Sequence, residues 1–169
     1  MHTKVVHAAA RLLADEFGLC ALRFNFRGVG ASAGEYGEGR GETADLVAAA
    51  RWLRERQPDG PLVLAGFSFG SVCALHAAPV LLPDLLFLIG VPTRRYRSVP
   101  SIPAGIRVFW IQGEDDEYSR PERARAVAEG RLWDFAAIPR ADHLFTGRLG
   151  AFEAAATEGL HRALDGRMT

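Results

Sequence analysis

Apolar positions along this chain follow two different periods. In the first 17 residues they recur three or four apart, which is typical of an amphipathic helix, and Gly18 ends that pattern. The same spacing predicts four further helices, over residues 43–56, 71–82, 121–130 and about 148–164. Thr43 is the candidate N-cap of the first of these.

Short apolar segments between the helices predict strands. Residues 20–28, "CALRFNFRG", alternate between apolar and polar, which favours a strand with two unlike faces. Continuous apolar runs predict strands covered on both faces at 61–66, 85–91 and 106–113, and 133–139 is a fifth candidate. Strands that alternate with helices predict one α/β domain over residues 1–169, with a mostly parallel sheet of about five strands flanked by helices.

Composition narrows the class of protein and of partner. Apolar residues make up 49% of the chain and charged residues 24%, which favours a folded globular protein over a disordered one. Because 20 basic residues balance 20 acidic ones, no net charge favours nucleic acid or an anionic membrane, and a small molecule is the expected partner. Charged residues interrupt the N-terminal apolar stretch, and no 18-residue apolar run exists, so we expect a cytoplasmic protein. Cys20 and Cys73 are expected to be buried free thiols in a reducing compartment.

The stretch Gly66-Phe67-Ser68-Phe69-Gly70 fits the pattern G-x-S-x-G between a predicted buried strand and a predicted helix. At such a turn a serine is exposed as a nucleophile, and glycines on both sides of Ser68 would remove Cβ atoms that collide with strand and helix. Ser71 is expected in the first turn of the helix. The alternative is a glycine-rich turn that contains a serine by chance.

A nucleophilic serine needs a base and an acid, and candidates for both follow Ser68 in the order that α/β hydrolases use. Asp115 and Asp116 come directly after the strand 106–113, and His143 lies in the loop after 133–139. Both positions are at carboxyl ends of strands, where open α/β sheets assemble their sites. The alternative is that the two aspartates are solvated turn residues and that His143 is an ordinary loop histidine.

With these residues in place, the chain resembles the α/β-hydrolase superfamily, and more closely a bacterial group of small dienelactone-hydrolase-like proteins. The segments that carry the resemblance are "KVVHAAARLLA", "LRFNFRGVGAS", "LAGFSFG", "IQGEDDE" and "ADHLFTGRL". The resemblance implies Ser68 as nucleophile and His143 as general base and acid. It selects Asp116 over Asp115, counted from Gly113, as the acid that holds the imidazole, and it gives Phe69 N–H as one oxyanion-hole donor.

The resemblance also implies a departure at the front of the chain. In such relatives about three strands and a histidine-glycine loop, which donates a second oxyanion N–H, precede the helix that matches residues 1–17. One of those strands would lie between residues 21–27 and 62–66. Here the strands would have to close up, or another chain would have to fill the place, which favours a homodimer. A misplaced start at Met1, a truncated gene and a shortened domain are three explanations, of which we favour the first.

Weaker features have plainer interpretations. Gly28, Gly30 and Gly34 imitate a dinucleotide-binding loop without its full spacing, so we expect no nucleotide cofactor. Arg27 is expected to brace loops near the site. A basic loop holds Arg94, Arg95 and Arg97, which either contact an anionic substrate or are simply solvated.

The leading hypothesis from sequence is a serine hydrolase that cleaves a small ester or thioester through an acyl-enzyme, with no metal and no cofactor. The alternative is a non-catalytic domain of the same fold that serves as a binding or interaction module.

Overall fold

The computed structural model describes residues 3–96 and 99–164. The helices in these ranges are α1 (Lys4–Asp15), α2 (Arg40–Arg56), α3 (Phe69–Leu81), α4 (Pro121–Gly130) and α5 (Leu149–Leu164). The strands are β1 (Val63–Phe67), β2 (Leu85–Ile89), β3 (Arg107–Gly113) and β4 (Asp134–Ile138). Met1, His2 and Arg97 lie outside the described residues.

The four strands form one sheet in the order β1-β2-β3-β4, and all three pairings are parallel. Helices cover both faces, which explains why β2 is buried along its whole length. On one face α1 and α5 pack against side chains such as Phe87 and Phe109. On the other face α2, α3 and α4 pack against side chains such as Leu88 and Trp110. The predicted fold class, a parallel α/β sheet flanked by helices, is confirmed.

The sheet of the described residues has four strands instead of about five, because residues 20–28 do not join it. We call residues 19–39, between α1 and α2, the front segment. A strand persists only where a neighbour pairs with its backbone N–H and C=O groups, and none of the described strands lies beside residues 20–28. The prediction of a fifth strand with two unlike faces was wrong, since residues 20–23 are all exposed and residues 24–27 are all partly buried.

One edge of β1 is open. Ser68 N–H, directly after β1, donates to the Ile89 carbonyl of β2. Because the direction of pairing alternates along a strand, the backbone groups of Val63, Ala65 and Phe67 point the other way. No described strand pairs with them.

A cavity of about 340 Å³ separates β1 from the front segment. Its walls are mainly apolar side chains of α1, the front segment and α2, including Val6, Leu13, Leu22, Phe24, Leu46 and Leu53. The two segments therefore do not close up, which was one of the two expectations for a sheet that lacks a strand. Filling of this place by another chain stays a prediction.

Helix α2 begins earlier than its sequence pattern predicts. It starts at Arg40 with Gly39 as N-cap, so the prediction of Thr43 as the cap was wrong. Thr43 lies in the first turn, where its hydroxyl donates to the Gly39 carbonyl at 2.6 Å. The Glu42 carboxylate accepts the N–H groups of Gly37 and Gly39, each at 2.8 Å. Because the Glu42 carboxylate accepts backbone N–H groups that precede it, the helix can begin at Arg40, three residues before the predicted start.

Candidate active site

Ser68 occupies a strained turn between β1 and α3. Its φ is 54° and its ψ is −121°, a combination that non-glycine residues rarely adopt. Gly66 permits the turn, because a Cβ there would lie 2.4 Å from the Gly70 carbonyl oxygen. The expectation for Gly70 was wrong, since a Cβ at that position would meet nothing within 4 Å beyond its own helix. Ser71 lies in the first turn of α3, as predicted.

The structure brings the three predicted side chains together in one chain of hydrogen bonds. His143 Nε2 lies 2.8 Å from Ser68 Oγ, and His143 Nδ1 lies 2.8 Å from Asp116 Oδ2. An ionised carboxylate only accepts hydrogen bonds, so Nδ1 carries the proton and Nε2 is free to accept the serine O–H. The arrangement can therefore take a proton from Ser68.

Asp116 is placed by the end of β3. It is 3% exposed, whereas its neighbour Asp115 is exposed and gives its N–H to the Ala141 carbonyl. The structure thus places Asp116, and not Asp115, beside the imidazole. Gly113 permits this packing, since a Cβ there would lie 2.4 Å from the same Ala141 carbonyl oxygen.

His143 is placed by a loop that its neighbour Asp142 holds in shape. Asp142 Oδ1 accepts the N–H groups of Leu144 at 3.1 Å and Thr146 at 2.8 Å. The hydrogen bonds from the Thr146 backbone and side chain lower the pKa of Asp142, and burial opposes that shift in part. His143 is buried, with 7% of its surface exposed. Its ring centroid lies 4.9 Å from that of Phe67 and 4.7 Å from that of Tyr118. Two aromatic rings thus help to hold the imidazole in place.

Aromatic rings of the front segment contact the residue that follows Ser68. Phe69, directly after Ser68, contacts the rings of Phe26 and Tyr36 in the front segment. Phe69 is the first residue of α3, so its N–H has no acceptor within the helix. Its role as an oxyanion donor stays a prediction, and we assign no second donor among the described residues.

Two charged contacts hold the front segment to α2. The Arg27 guanidinium pairs with Asp45, with Nη2 to Oδ1 at 2.7 Å, so Arg27 braces the loop as predicted. The hydrogen bond from Arg27 lowers the pKa of Asp45, and burial opposes that shift in part. Burial also works against ionisation of Glu42, but the N–H groups of Gly37 and Gly39 outweigh it and the pKa of Glu42 is lowered. Both carboxylates are therefore stable as anions.

The other predicted candidates lie apart from this hydrogen-bond chain. In the basic loop Arg94 gives its Nε–H to the Ser119 carbonyl at 2.9 Å, and Arg95 is exposed. Cys20 and Cys73 are both free thiols, as predicted, but only Cys73 is buried, so the prediction of a buried thiol was wrong for Cys20. Burial raises the pKa of Cys73 to about 11. No helix in the described ranges 3–96 and 99–164 is both long and apolar enough to cross a membrane.

Sequence reasoning missed the polar partners of this site, namely Glu42, Asp45 and Gln112. Gln112 is fully buried and gives its amide N–H to Asp116 Oδ2 at 2.5 Å. The available signal was an amide side chain inside the continuous apolar run of 106–113, a position at which burial requires a polar partner.

Comparison with known proteins shows which family this chain is similar to. The family model described as the alpha/beta hydrolase fold matches residues 3–86. The uncharacterized protein RP471 of Rickettsia prowazekii (strain Madrid E) is 30% identical over 174 residues, which cover 95% of this chain and 72% of that protein.

Two solved structures are similar over nearly the whole chain. The crystal structure of XC6422 from Xanthomonas campestris, a member of the α/β serine hydrolases without a lid, is 40% identical with a TM-score of 0.88, covering 98% of this chain and 76% of that one. An α/β serine hydrolase homologue from Coxiella burnetii is 33% identical with a TM-score of 0.85, covering 95% and 77%. The narrower resemblance to dienelactone-hydrolase-like proteins stays a prediction. This chain belongs to the α/β-hydrolase superfamily.

Proposed function

We propose that this protein is a serine hydrolase that cleaves small ester or thioester substrates through an acyl-enzyme on Ser68. The observation that carries the proposal is the continuous contact from Asp116 through His143 to Ser68, with both links at 2.8 Å. The similarity to α/β serine hydrolases of Xanthomonas campestris and Coxiella burnetii supports hydrolysis as the reaction class.

The mechanism follows from the positions of the protons. Ser68 Oγ attacks the substrate carbonyl carbon while His143 Nε2 takes the hydroxyl proton. The tetrahedral intermediate collapses, and the same Nε2 gives that proton to the departing alcohol or thiol. A water molecule then attacks the acyl-enzyme, with His143 again as base, and releases the carboxylic acid and Ser68. Throughout, Asp116 accepts Nδ1–H and stabilises the imidazolium.

Oxyanion stabilisation sets the expected rate. Phe69 N–H is the donor that the proposal assigns, and loss of one oxyanion-hole donor typically lowers kcat about 10²- to 10³-fold. We therefore expect turnover of activated esters to depend on the Phe69 N–H.

Labelling with a fluorophosphonate probe tests the nucleophile directly. The folded protein should take up one probe, on Ser68 by mass spectrometry, and Ser68→Ala should take up none. Hydrolysis of p-nitrophenyl acetate should fall to the uncatalysed rate in Ser68→Ala. The matched control is Ser101→Ala, which changes an exposed serine and should behave as wild type. Absence of label from folded wild-type protein would contradict the proposal.

A non-catalytic binding module is the second candidate, favoured by the edge of β1 with which no described strand pairs. The same assay separates the two functions, since equal hydrolysis by wild type and Ser68→Ala would support the binding module.

Nucleotide binding at the glycine-rich front segment is disfavoured by charge. The Glu42 carboxylate already occupies the N–H groups of Gly37 and Gly39 before α2, where a phosphate would have to bind. We expect NAD and ATP to leave the melting temperature unchanged.

A further inference from the structure

Gln112 is a buried polar side chain that the proposed mechanism does not use. It lies on β3 and is 0% exposed, as is Trp110 two residues before it. Burial of an amide without hydrogen bonds is unfavourable, so an apolar side chain would serve a purely structural position better. The position therefore requires an explanation from the amide's own contacts.

The two neighbours of the amide permit only one orientation. The Trp110 indole Nε1–H donates to Gln112 Oε1 at 3.0 Å, and Gln112 Nε2 donates to Asp116 Oδ2 at 2.5 Å. An indole N–H can only donate, and an ionised carboxylate can only accept. If the amide flipped, donor would face donor at Trp110 and acceptor would face acceptor at Asp116. The indole thus directs the amide N–H toward the carboxylate.

The carboxylate of Asp116 is in turn held on both oxygens. Tyr118 N–H donates to Oδ1 at 2.8 Å, and Oδ2 accepts both Gln112 Nε2 and the imidazole Nδ1. Hydrogen bonds to a charged group are stronger than those between neutral groups. Without the bond from Gln112, one donor to the buried anion is lost and Oδ2 is held by the imidazole alone.

We propose that Gln112, oriented by Trp110, is a positioning residue that fixes the Asp116 carboxylate and through it the His143 imidazole. This inference rests on the proposed function for its effect on turnover, but not for its effect on the geometry of the site. The sequence run from Trp110 to Asp116 then carries three successive parts of one hydrogen-bond chain: indole, amide and carboxylate.

The test replaces the amide with an apolar side chain of similar length, Gln112→Met. In the full chain we expect kcat for p-nitrophenyl acetate to fall about tenfold or more, with KM within about twofold, since a hydrogen bond to a charged group is lost. We also expect a spectroscopic change that requires no turnover. The proton NMR resonance of His143 Nδ1–H, assigned by its absence in His143→Gln, should shift or disappear by exchange with water.

Two further variants separate positioning from general damage to the core. Trp110→Phe keeps an aromatic ring and removes the donor that orients the amide, so it should move the resonance and lower kcat by less than Gln112→Met does. It also keeps the inference testable if Gln112→Met fails to fold. Ile111→Val lies on the same strand, is buried on the opposite face of the sheet, and should leave the resonance and kcat at the wild-type values.

Three results would contradict the role of Gln112 as a positioning residue. An unshifted resonance in folded Gln112→Met, a wild-type kcat in that variant, or an equal effect of Ile111→Val would each overturn the inference. If the wild-type protein neither hydrolyses the ester nor reacts with a fluorophosphonate, the proposed function fails, and the resonance alone then decides whether Gln112 fixes the imidazole.

Discussion

Two regions of this molecule meet at Ser68 and are built in different ways. On one side β2, β3 and β4 pair in continuous parallel register, and every residue of β2 is at most 1% exposed. On the other side the front segment has no strand neighbour among the described residues, and residues 20–23 are exposed. Asp116 and His143 are therefore positioned by the ends of paired strands, whereas the front segment is held mainly by side-chain contacts such as that of Arg27 with Asp45.

Because the two regions are built differently, substitutions in them should affect different measured properties. Substitutions around Asp116 should act on turnover, and substitutions in the sheet should act on stability. Substitutions in the front segment should act weakly on stability, because the apolar side chains there face a cavity and the segment depends on the contacts of Arg27 and Glu42 with their partners.

The largest effect is expected at the acid. Asp116→Asn keeps the shape of the side chain but no longer holds His143 in the tautomer with a proton on Nδ1, and such a change lowers kcat about 10⁴-fold in a serine protease. We expect a decrease of about 10³- to 10⁴-fold in ester hydrolysis, measured in protein whose circular dichroism matches wild type.

Asp115→Asn is the matched control, since that neighbouring carboxylate is exposed and does not contact the imidazole. It should hydrolyse ester within about twofold of wild type. A large decrease in Asp115→Asn, with wild-type activity in Asp116→Asn, would reverse the assignment of the acid.

The next effect compares one leucine from each region by urea unfolding. Leu88→Ala in β2 removes a fully buried side chain, so the free energy of unfolding should fall by about 2–5 kcal/mol. Leu22→Ala in the front segment removes a side chain that is already 39% exposed, and the cost should be below about 1 kcal/mol. Equal costs would mean that the front segment is packed as tightly as the sheet, contrary to the cavity beside it.

The smallest effect is the dependence of stability on pH that comes from the contact of Asp45 with Arg27. Because the pKa of Asp45 is lowered in the folded protein, its stabilisation is present above the unfolded pKa of about 3.9 and is lost as pH falls through the folded value. Asp45→Asn should lower the melting temperature at pH 7 slightly, and this difference from wild type should disappear as pH falls below about 4.

Asp15→Asn is the control for Asp45→Asn, because Asp15 pairs with Arg11 within α1 and ties no loop to another element. It should leave the melting temperature close to wild type. A deficit in Asp45→Asn that persists at low pH would show that the ion pair is not its cause.

Local sequence pattern predicted most of the fold because most of its elements are decided by local burial. The four paired strands lie within or close to the predicted runs 61–66, 85–91, 106–113 and 133–139, and each is bounded by turn or helix signals. Residues 20–28 were predicted wrongly because a strand depends on its neighbour, and alternation of apolar and polar residues carries no information about what lies beside it. The start of α2 was missed because Glu42 acts on backbone groups that precede it, Gly37 among them.

The candidate site was predictable to a different extent. The positions of Ser68, Asp116 and His143 after the ends of three parallel strands were enough to place them at one edge of the sheet, where the structure has them in contact. The hydrogen-bond partners of these residues could not be predicted from the sequence. The role of Gln112, for example, depends on its contact with the Asp116 carboxylate in the folded protein.

The open edge of β1 also matters for handling this protein in solution. An unpaired strand edge is a template for pairing with another chain, and proteins commonly oppose such pairing with charge repulsion. Here 20 acidic and 20 basic residues cancel at pH 7, so copies of the chain approach each other without net repulsion. Colloidal stability should therefore be lowest near neutral pH and should improve in buffers one or two pH units away from it.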